Sequence, residues 1–228
     1  MGASESSLGS VIKAVLFDLD GTLYDRDLLA ATLFHEQYAA FANELRGIGY
    51  ERFLRDVHEM DDHGYGVKEA GYRTLVQSWG LDAGLADRLV AHFWESYDGH
   101  CHLSDDVRRT LDELRRQRLK LAVVTNGVSM RQRRKIAALG LADAFDAILV
   151  SEEEGVRKPE AELFRRALAR CGVAAHEALF VGDHPVADVE GAHRAGLKAA
   201  WKFVPYWPPV VGGVPVIREL SEVLALLE

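Results

Sequence analysis

Cysteine is scarce in this chain of 228 residues: Cys101 and Cys171 are the only two. That is too few for a disulfide framework, and both are expected to be reduced. Positive charge is also in the minority, with 27 Lys and Arg against 35 Asp and Glu and a net charge of −8. This balance argues against a nucleic acid polymer as partner, because polyphosphate demands a basic surface. Attraction for any smaller anion must be local. No apolar run approaches the roughly 18–20 residues that cross a bilayer, and the basic-then-apolar layout of a secretory signal is missing. The expectation is a cytoplasmic protein with no membrane partner. Residues 1–10 read as a flexible polar leader. Met1-Gly2-Ala3-Ser4-Glu5-Ser6 formally fits a myristoylation pattern, yet no polybasic patch follows to hold a single acyl chain on a membrane.

What is present is an ordinary globular composition, 48% hydrophobic and 27% charged, with enough length for a sizeable core. After residue 104, short apolar runs alternate with amphipathic stretches, the pattern of βα units on a parallel sheet. Strands are predicted at Leu119–Val124, Ala147–Val150, Ala178–Gly182, Lys198–Lys202 and Val214–Ile217. Helices are predicted near Asp106–Gln117, Ser129–Leu139, Ala161–Cys171 and Val186–Ala195, with Gly140, Gly172 and Gly196 as C-terminal caps. Together with a strand at Ala14–Asp18 they make a doubly wound, Rossmann-like α/β core. Residues 25–103 differ: helical periodicity runs through Asp27–Leu45, Glu51–Glu59, Val67–Trp79 and Ala86–Tyr97, with breaks at Gly47-Ile48-Gly49 and Asp61-Asp62-His63-Gly64. The predicted organisation is therefore a leader (1–10), a core (11–24 and 104–228) and an inserted all-α cap (25–103). Two linkers join cap and core, as suits a hinged lid.

The chemistry sits at predicted strand ends. Ala14-Val15-Leu16-Phe17 runs apolar into Asp18-Leu19-Asp20-Gly21-Thr22, placing two carboxylates on one side of an extended backbone. Close carboxylates repel and lose hydration, so a cation or shared proton must compensate, and Mg²⁺ is the hard ion that needs few protein ligands. Val124-Thr125-Asn126-Gly127 ends a second strand in a hydroxyl and a flexible turn, a seat for phosphate, although Thr-Asn-Gly is also good turn chemistry alone. Arg157-Lys158-Pro159 follows a third strand, with Lys158 able to neutralise phosphate and nucleophile, or simply exposed at a helix start. Val181-Gly182-Asp183 ends a fourth, and Asp188 follows as an acid near a helix N-terminus. Ligands of open α/β sheets bind outside the strands' carboxyl ends, where all of these residues would meet.

This ordered set resembles the haloacid dehalogenase superfamily in its phosphatase branch, over essentially the whole chain from Val11. Asp18-x-Asp20-Gly21-Thr22 is similar to its first motif, Thr125 to its second, Lys158 to its third, and Gly182-Asp183 with Asp188 to its fourth. The helical insertion looks like its C1-type cap. The resemblance implies a Mg²⁺-dependent phosphomonoester hydrolase, working through an aspartyl-phosphate on a small soluble phosphorylated metabolite. Asp18 would be nucleophile and metal ligand. Asp20 would be the acid/base and bind metal through its backbone carbonyl, and Asp183 would ligate the metal directly. Asp188 would support the metal, or reach it through water. Thr125 and Asn126 would hold phosphoryl oxygens and Lys158 would offset their charge. Aspartate rather than tyrosine at position 20 speaks against the dehalogenase branch. A phosphomutase, or a catalytically idle regulatory relative, is the alternative, and a monomer or homodimer is expected.

In the insertion, His63, Lys68 and Arg73 are the candidate substrate contacts. Lys68 is also the one lysine there, read mainly as a solvated helix position. His100-Cys101-His102 is read as a polar linker strand. The basic run Arg131-Gln132-Arg133-Arg134-Lys135 is read as a solvated helix face, and His184 as a residue of the site's rim.

Overall fold

The computed structural model describes residues 11–210 and 212–227; the predicted leader and its acylation pattern lie outside the described residues. The chain divides into two compact units. One holds the described residues up to Tyr24 and those from Leu103 onward, and the other is Asp25–His102.

The first unit is built on six parallel strands, β1 (Ala14–Phe17), β2 (Lys120–Thr125), β3 (Ala147–Val150), β4 (Ala178–Gly182), β5 (Lys198–Lys202) and β6 (Val216–Ile217), in the order β3-β2-β1-β4-β5-β6. This is the doubly wound α/β class that the sequence predicts. All four residues of β1 are buried, as an apolar strand covered on both faces must be. Ala14 of β1 lies in register with Lys120 of β2 on one side and with Ala178 of β4 on the other. Strand order therefore reverses at β1, and the ends of β1, β2 and β4 lie side by side.

The core on one face joins Leu16, Val124, Leu149 and Phe180 from the strands to Leu163 and Phe164 from a helix. The Phe164 and Phe180 rings meet edge to face with centroids 5.0 Å apart, a geometry that adds to their area burial.

The second unit holds four helices, α1 (Arg26–Ala40), α2 (Tyr50–Asp61), α3 (Lys68–Trp79) and α4 (Gly84–Tyr97). Asp25 caps α1 by accepting the Leu28 N–H at 2.9 Å. α1 ends earlier than its apolar periodicity suggests: Phe41 leaves helical geometry, and the chain continues in turns such as Ile48 N–H to Leu45 C=O. α2 ends where predicted, at Asp62 and His63, both left-handed. Phe34, Phe53, Phe93 and Tyr72 fill the interior. Tyr72 donates to Gln37 Oε1 at 2.6 Å and Gln37 Nε2 to Leu89 C=O at 2.8 Å, so these two buried side chains are satisfied by each other and by the main chain. His100 lies in a short 3₁₀ turn rather than a linker strand, bonded to Ser96 C=O and Glu36.

The remaining helices belong to the first unit: α5 (Asp105–Arg116), α6 (Ser129–Ala138), α7 (Ser151–Glu154), α8 (Ala161–Cys171) and α9 (Gly191–Arg194). The helix predicted over Val186–Ala195 begins instead as a π-helical turn, Pro185–Glu190, before α9. Among the described residues no helix is long and apolar enough to cross a membrane.

Candidate active site

Asp18 leaves β1 at its carboxyl end and is nine-tenths buried. Its carboxylate shares a cluster with Asp183, the first residue after β4, and Asp188 in the π-helical turn; one oxygen from each lies within 4.8 Å of the others. Lys158 sits among them at 3% exposure. Its ammonium donates to Asp18 Oδ1 at 2.6 Å and to Asp188 Oδ1 at 2.7 Å. The reading of Lys158 as an exposed lysine at a helix start is thereby excluded; it lies three residues before α8.

Glycines make this closeness possible. A Cβ on Gly182 would stand 2.4 Å from Asp188 Cγ, and one on Gly21, whose φ is +78°, would stand 2.9 Å from Asp183 Cγ. Asp188 accepts the His184 N–H at 2.9 Å through its other oxygen. Asp183 is braced from behind, since the buried Trp201 indole donates to its carbonyl at 2.6 Å. Thr22 donates to Asp183 Oδ1 at 3.4 Å. His184 Nδ1 accepts from the N–H groups of Val186 and Ala187, which leaves the ring proton on Nε2, and the ring lies tilted by 37° against Trp207 with centroids 4.3 Å apart.

Three carboxylates around one ammonium leave an excess of buried negative charge. Burial lifts the Asp18 carboxyl to about 7, with Lys158 pulling it down and Asp188 and Asp20 pushing it up. Burial, then Asp188 and Asp18, push Asp183 well above the carboxylate range. Burial disfavours the Lys158 ammonium, but Asp18 and Asp188 outweigh that and raise its pKa. The missing compensation is positive, and the donors are hard oxygens, so the residues fit a divalent cation such as Mg²⁺.

Asp20 stands apart from this cluster. Its Oδ1 accepts the Lys135 ammonium at 2.7 Å and the Tyr24 hydroxyl, and its Oδ2 accepts Gln132 Nε2 at 2.9 Å. Burial opposes its charge, but Lys135, Tyr24 and Gln132 outweigh burial and bring its pKa to about 2. Any metal role for Asp20 therefore falls to its backbone, the part assigned to it from the resemblance.

Thr125, at the end of β2, is 1% exposed, and its Oγ1 accepts from Gln132 Nε2 at 2.6 Å. The Asn126 side chain has a structural task. It holds Lys158 at both ends, donating to Lys158 C=O at 3.0 Å and accepting Lys158 N–H at 2.9 Å. The amide thus fixes the main chain of Lys158.

The basic run also reads differently in three dimensions. Gln132 is buried and the Lys135 side chain is 13% exposed, both turned from α6 towards Asp20 rather than to solvent. These two and Tyr24 are the site residues that sequence reasoning missed. The available signal was the i, i+3 spacing of Gln132 and Lys135 just after the Thr-Asn-Gly turn.

Of the three insertion candidates, His63 and Lys68 join one chain of ion pairs through Asp27, Arg26 and Asp61, and Arg73 pairs elsewhere. Lys68 is buried rather than solvated, pairing with Asp61 at 2.6 Å, and Asp61 also binds Arg26 through both oxygens. His63 Nδ1 lies 2.8 Å from Asp27 Oδ2. Arg73 is well exposed and reaches Asp87 at 3.5 Å.

The chain matches the family model of the haloacid dehalogenase-like hydrolases over residues 12–196. It is 34% identical over 197 residues to the glyceraldehyde 3-phosphate phosphatase of Methanopyrus kandleri, covering 82% of both chains. It is also 34% identical over 197 residues to the ribulose-1,5-bisphosphate 5-phosphatase of Halopiger xanaduensis, covering 81% of this chain and 82% of that one. Among solved structures, the HAD-hydrolase YfnB of Bacillus subtilis, bound to magnesium and revealing interdomain movement, matches with a TM-score of 0.67 at 25% identity, covering 96% of this chain and 100% of the other. On the family match over most of its length and on these phosphatase relatives, the chain belongs to the haloacid dehalogenase-like hydrolases, as a phosphatase.

Proposed function

We propose that this protein is a Mg²⁺-dependent phosphomonoester hydrolase that acts on a small soluble phosphorylated metabolite through an aspartyl-phosphate on Asp18. The observation that carries this reading is the buried cluster of Asp18, Asp183 and Asp188 with a single ammonium, Lys158, bonded to two of them. Asp18, Asp183 and the Asp20 carbonyl would hold Mg²⁺, with Asp188 fixed beside them by Lys158 and the His184 N–H. When bound, the ion neutralises phosphoryl oxygens and so lets an anionic nucleophile approach an anionic ester.

The chain's own residues account for the rest. Asp18 attacks phosphorus as the P–O bond to the leaving alcohol breaks in line. Asp20, an ionised carboxylate in the free site, takes up a proton from solvent as the anionic ester binds, passes it to that oxygen, then takes one from the water that cleaves the aspartyl-phosphate and restores Asp18. Thr125 and the Asn126 main chain bind phosphoryl oxygens, and Lys158 offsets their charge. Carboxylates are weak nucleophiles, so positioning and electrostatics supply most of the acceleration. The helical unit Asp25–His102 acts as the cap in which substrate choice resides, a reading supported by its insertion directly after the first motif.

The test is release of inorganic phosphate from p-nitrophenyl phosphate and a panel of esters, with Mg²⁺, with chelator and with Ca²⁺. Glyceraldehyde 3-phosphate and ribulose 1,5-bisphosphate belong first in the panel, given the activities of the two relatives. Turnover with Mg²⁺ and its loss in chelator or Ca²⁺ is the expected result. Full activity in chelator, or no turnover on any ester, overturns the reading.

A further inference from the structure

Gln132 lies on no strand end and in no motif of the family resemblance, yet it is 2% exposed and touches two of the site's groups. Its place is prepared by Gly127, where a Cβ would stand 2.9 Å from Gln132 Cγ. Both of its site contacts are made by Nε2: 2.9 Å to Asp20 Oδ2 and 2.6 Å to Thr125 Oγ1.

The direction of these bonds follows from the partners. Asp20 already accepts the Lys135 ammonium and the Tyr24 hydroxyl, so it faces Gln132 as a carboxylate, which can only accept. The amide must therefore present its nitrogen to Asp20. The second hydrogen on that nitrogen then points to Thr125 Oγ1, which must accept it. A hydroxyl whose oxygen accepts inside the protein keeps its single hydrogen for another acceptor. At the carboxyl end of β2, on the phosphatase reading, a phosphoryl oxygen would be that acceptor.

We propose that Gln132 is a positioning residue for phosphate capture: its amide, anchored on Asp20, turns the Thr125 hydroxyl hydrogen towards the phosphoryl group. Lys135, one helical turn on, completes the anchor by holding the other oxygen of Asp20. The inference rests on the phosphatase reading above, but it is tested by binding rather than turnover. Without Gln132 the Thr125 hydroxyl is no longer held in one orientation, and the seat loses one aligned donor.

Inorganic phosphate is the probe, titrated calorimetrically into the Mg²⁺-loaded protein, with Thr125→Val, Gln132→Met and the double variant compared. Gln132→Met should weaken phosphate binding about tenfold in the wild-type background, the worth of one aligned hydrogen bond. In the Thr125→Val background the same change should alter it less than about twofold, because the group it orients is gone. Equal losses in both backgrounds, or no loss in either, overturn the proposal. Gln132→Glu is the second variant should Gln132→Met lose its circular dichroism signature. Its carboxylate would accept the Thr125 hydrogen, so binding should fall at least as far as in Gln132→Met; binding at the wild-type level would sink the idea. A wild-type protein that hydrolyses esters while the cycle shows no coupling defeats the Gln132 role alone. One that neither binds phosphate nor hydrolyses any ester defeats the reading beneath it as well.

Discussion

The Lys158 ammonium lies 2.6 Å from Asp18 Oδ1, a buried ion pair between residues 140 positions apart. Its partner oxygens belong to a cluster with two further acids, so the pair does not close the charge balance. Removing Lys158 should expose this. Breaking a buried pair by deleting one partner costs about 3–5 kcal/mol, and Lys158→Met should lower the unfolding free energy by about that much in chelator. Adding Asp188→Asn, which removes one repelling charge, should recover part of the loss. Urea melts of the single and double variants measure both.

The same imbalance predicts that Mg²⁺ stabilises the fold. Few protein ligands leave several waters on the ion, so a Kd on the order of 10⁻⁴–10⁻³ M is expected. At 10–100 times Kd the gain is about 1.4–2.7 kcal/mol, or roughly 3–10 °C in Tm for a chain of this size. Differential scanning fluorimetry against Mg²⁺ concentration checks it; a Tm indifferent to the ion contradicts the cation site.

Asp18→Asn should abolish turnover, by roughly 10³-fold or more, because nucleophile and metal ligand go together. Asp20→Asn should lower kcat steeply and leave KM nearly unchanged, the pattern expected when an interaction of the transition state is lost. Steady-state kinetics on an alkyl phosphate separates the two, and wild-type rates in either variant refute the assigned roles.

Gly182→Ala reaches the site through packing alone. Its methyl would lie 2.4 Å from Asp188 Cγ, so Asp188 must swing away from Lys158 and the His184 N–H. Displacing such a supporting carboxylate typically lowers metal affinity about 10–100-fold. Calorimetric titration of Mg²⁺ reads the effect directly.

In the helical unit, burial disfavours the Asp61 charge, but Arg26 and Lys68 outweigh it and hold its pKa below the usual carboxylate range. A depressed folded pKa gives stability that is present above the unfolded value, about 3.9, and lost as pH falls through the folded one. Asp61→Asn should therefore destabilise the protein by about 3–5 kcal/mol near neutrality. The gap to wild type should narrow below about pH 4. Thermal melts of both proteins from pH 7 to pH 3 test the sign, and a gap that widens in acid reverses it.

Much of this could be read from the chain because strands and their ends leave local marks. Short apolar runs located β3, β4 and β5 with the observed bounds, and the runs that end in Asp, Thr or Gly-Asp carried Asp18, Thr125 and Asp183 to the sheet's switch point. Helix faces were less legible. Lys135 sits in a run of basic residues that looks uniformly solvated, and only its approach to Asp20 across the fold distinguishes it from Arg134. Lys68 is hidden in the same way by Asp61, whose pairing depends on how α2 and α3 pack. Asn126 stands in a turn that suits phosphate, but its amide is taken by a main chain 32 residues away. Partners so distant leave no trace in the spacing of either residue.

The central place of β1 has a consequence for biosynthesis. The strand that carries Asp18 is made first, but its neighbours in the sheet begin at Lys120 and Ala178. At about 5–20 residues per second, β1 waits roughly 5–20 s for the nearer of them to be translated. During that delay the four helices of Asp25–His102, whose partners are near in sequence, are complete and can pack. The nascent chain therefore carries a bare apolar strand tethered to a finished helical bundle, and synonymous changes that slow translation between Leu103 and Lys120 should lengthen that exposure and reduce soluble yield.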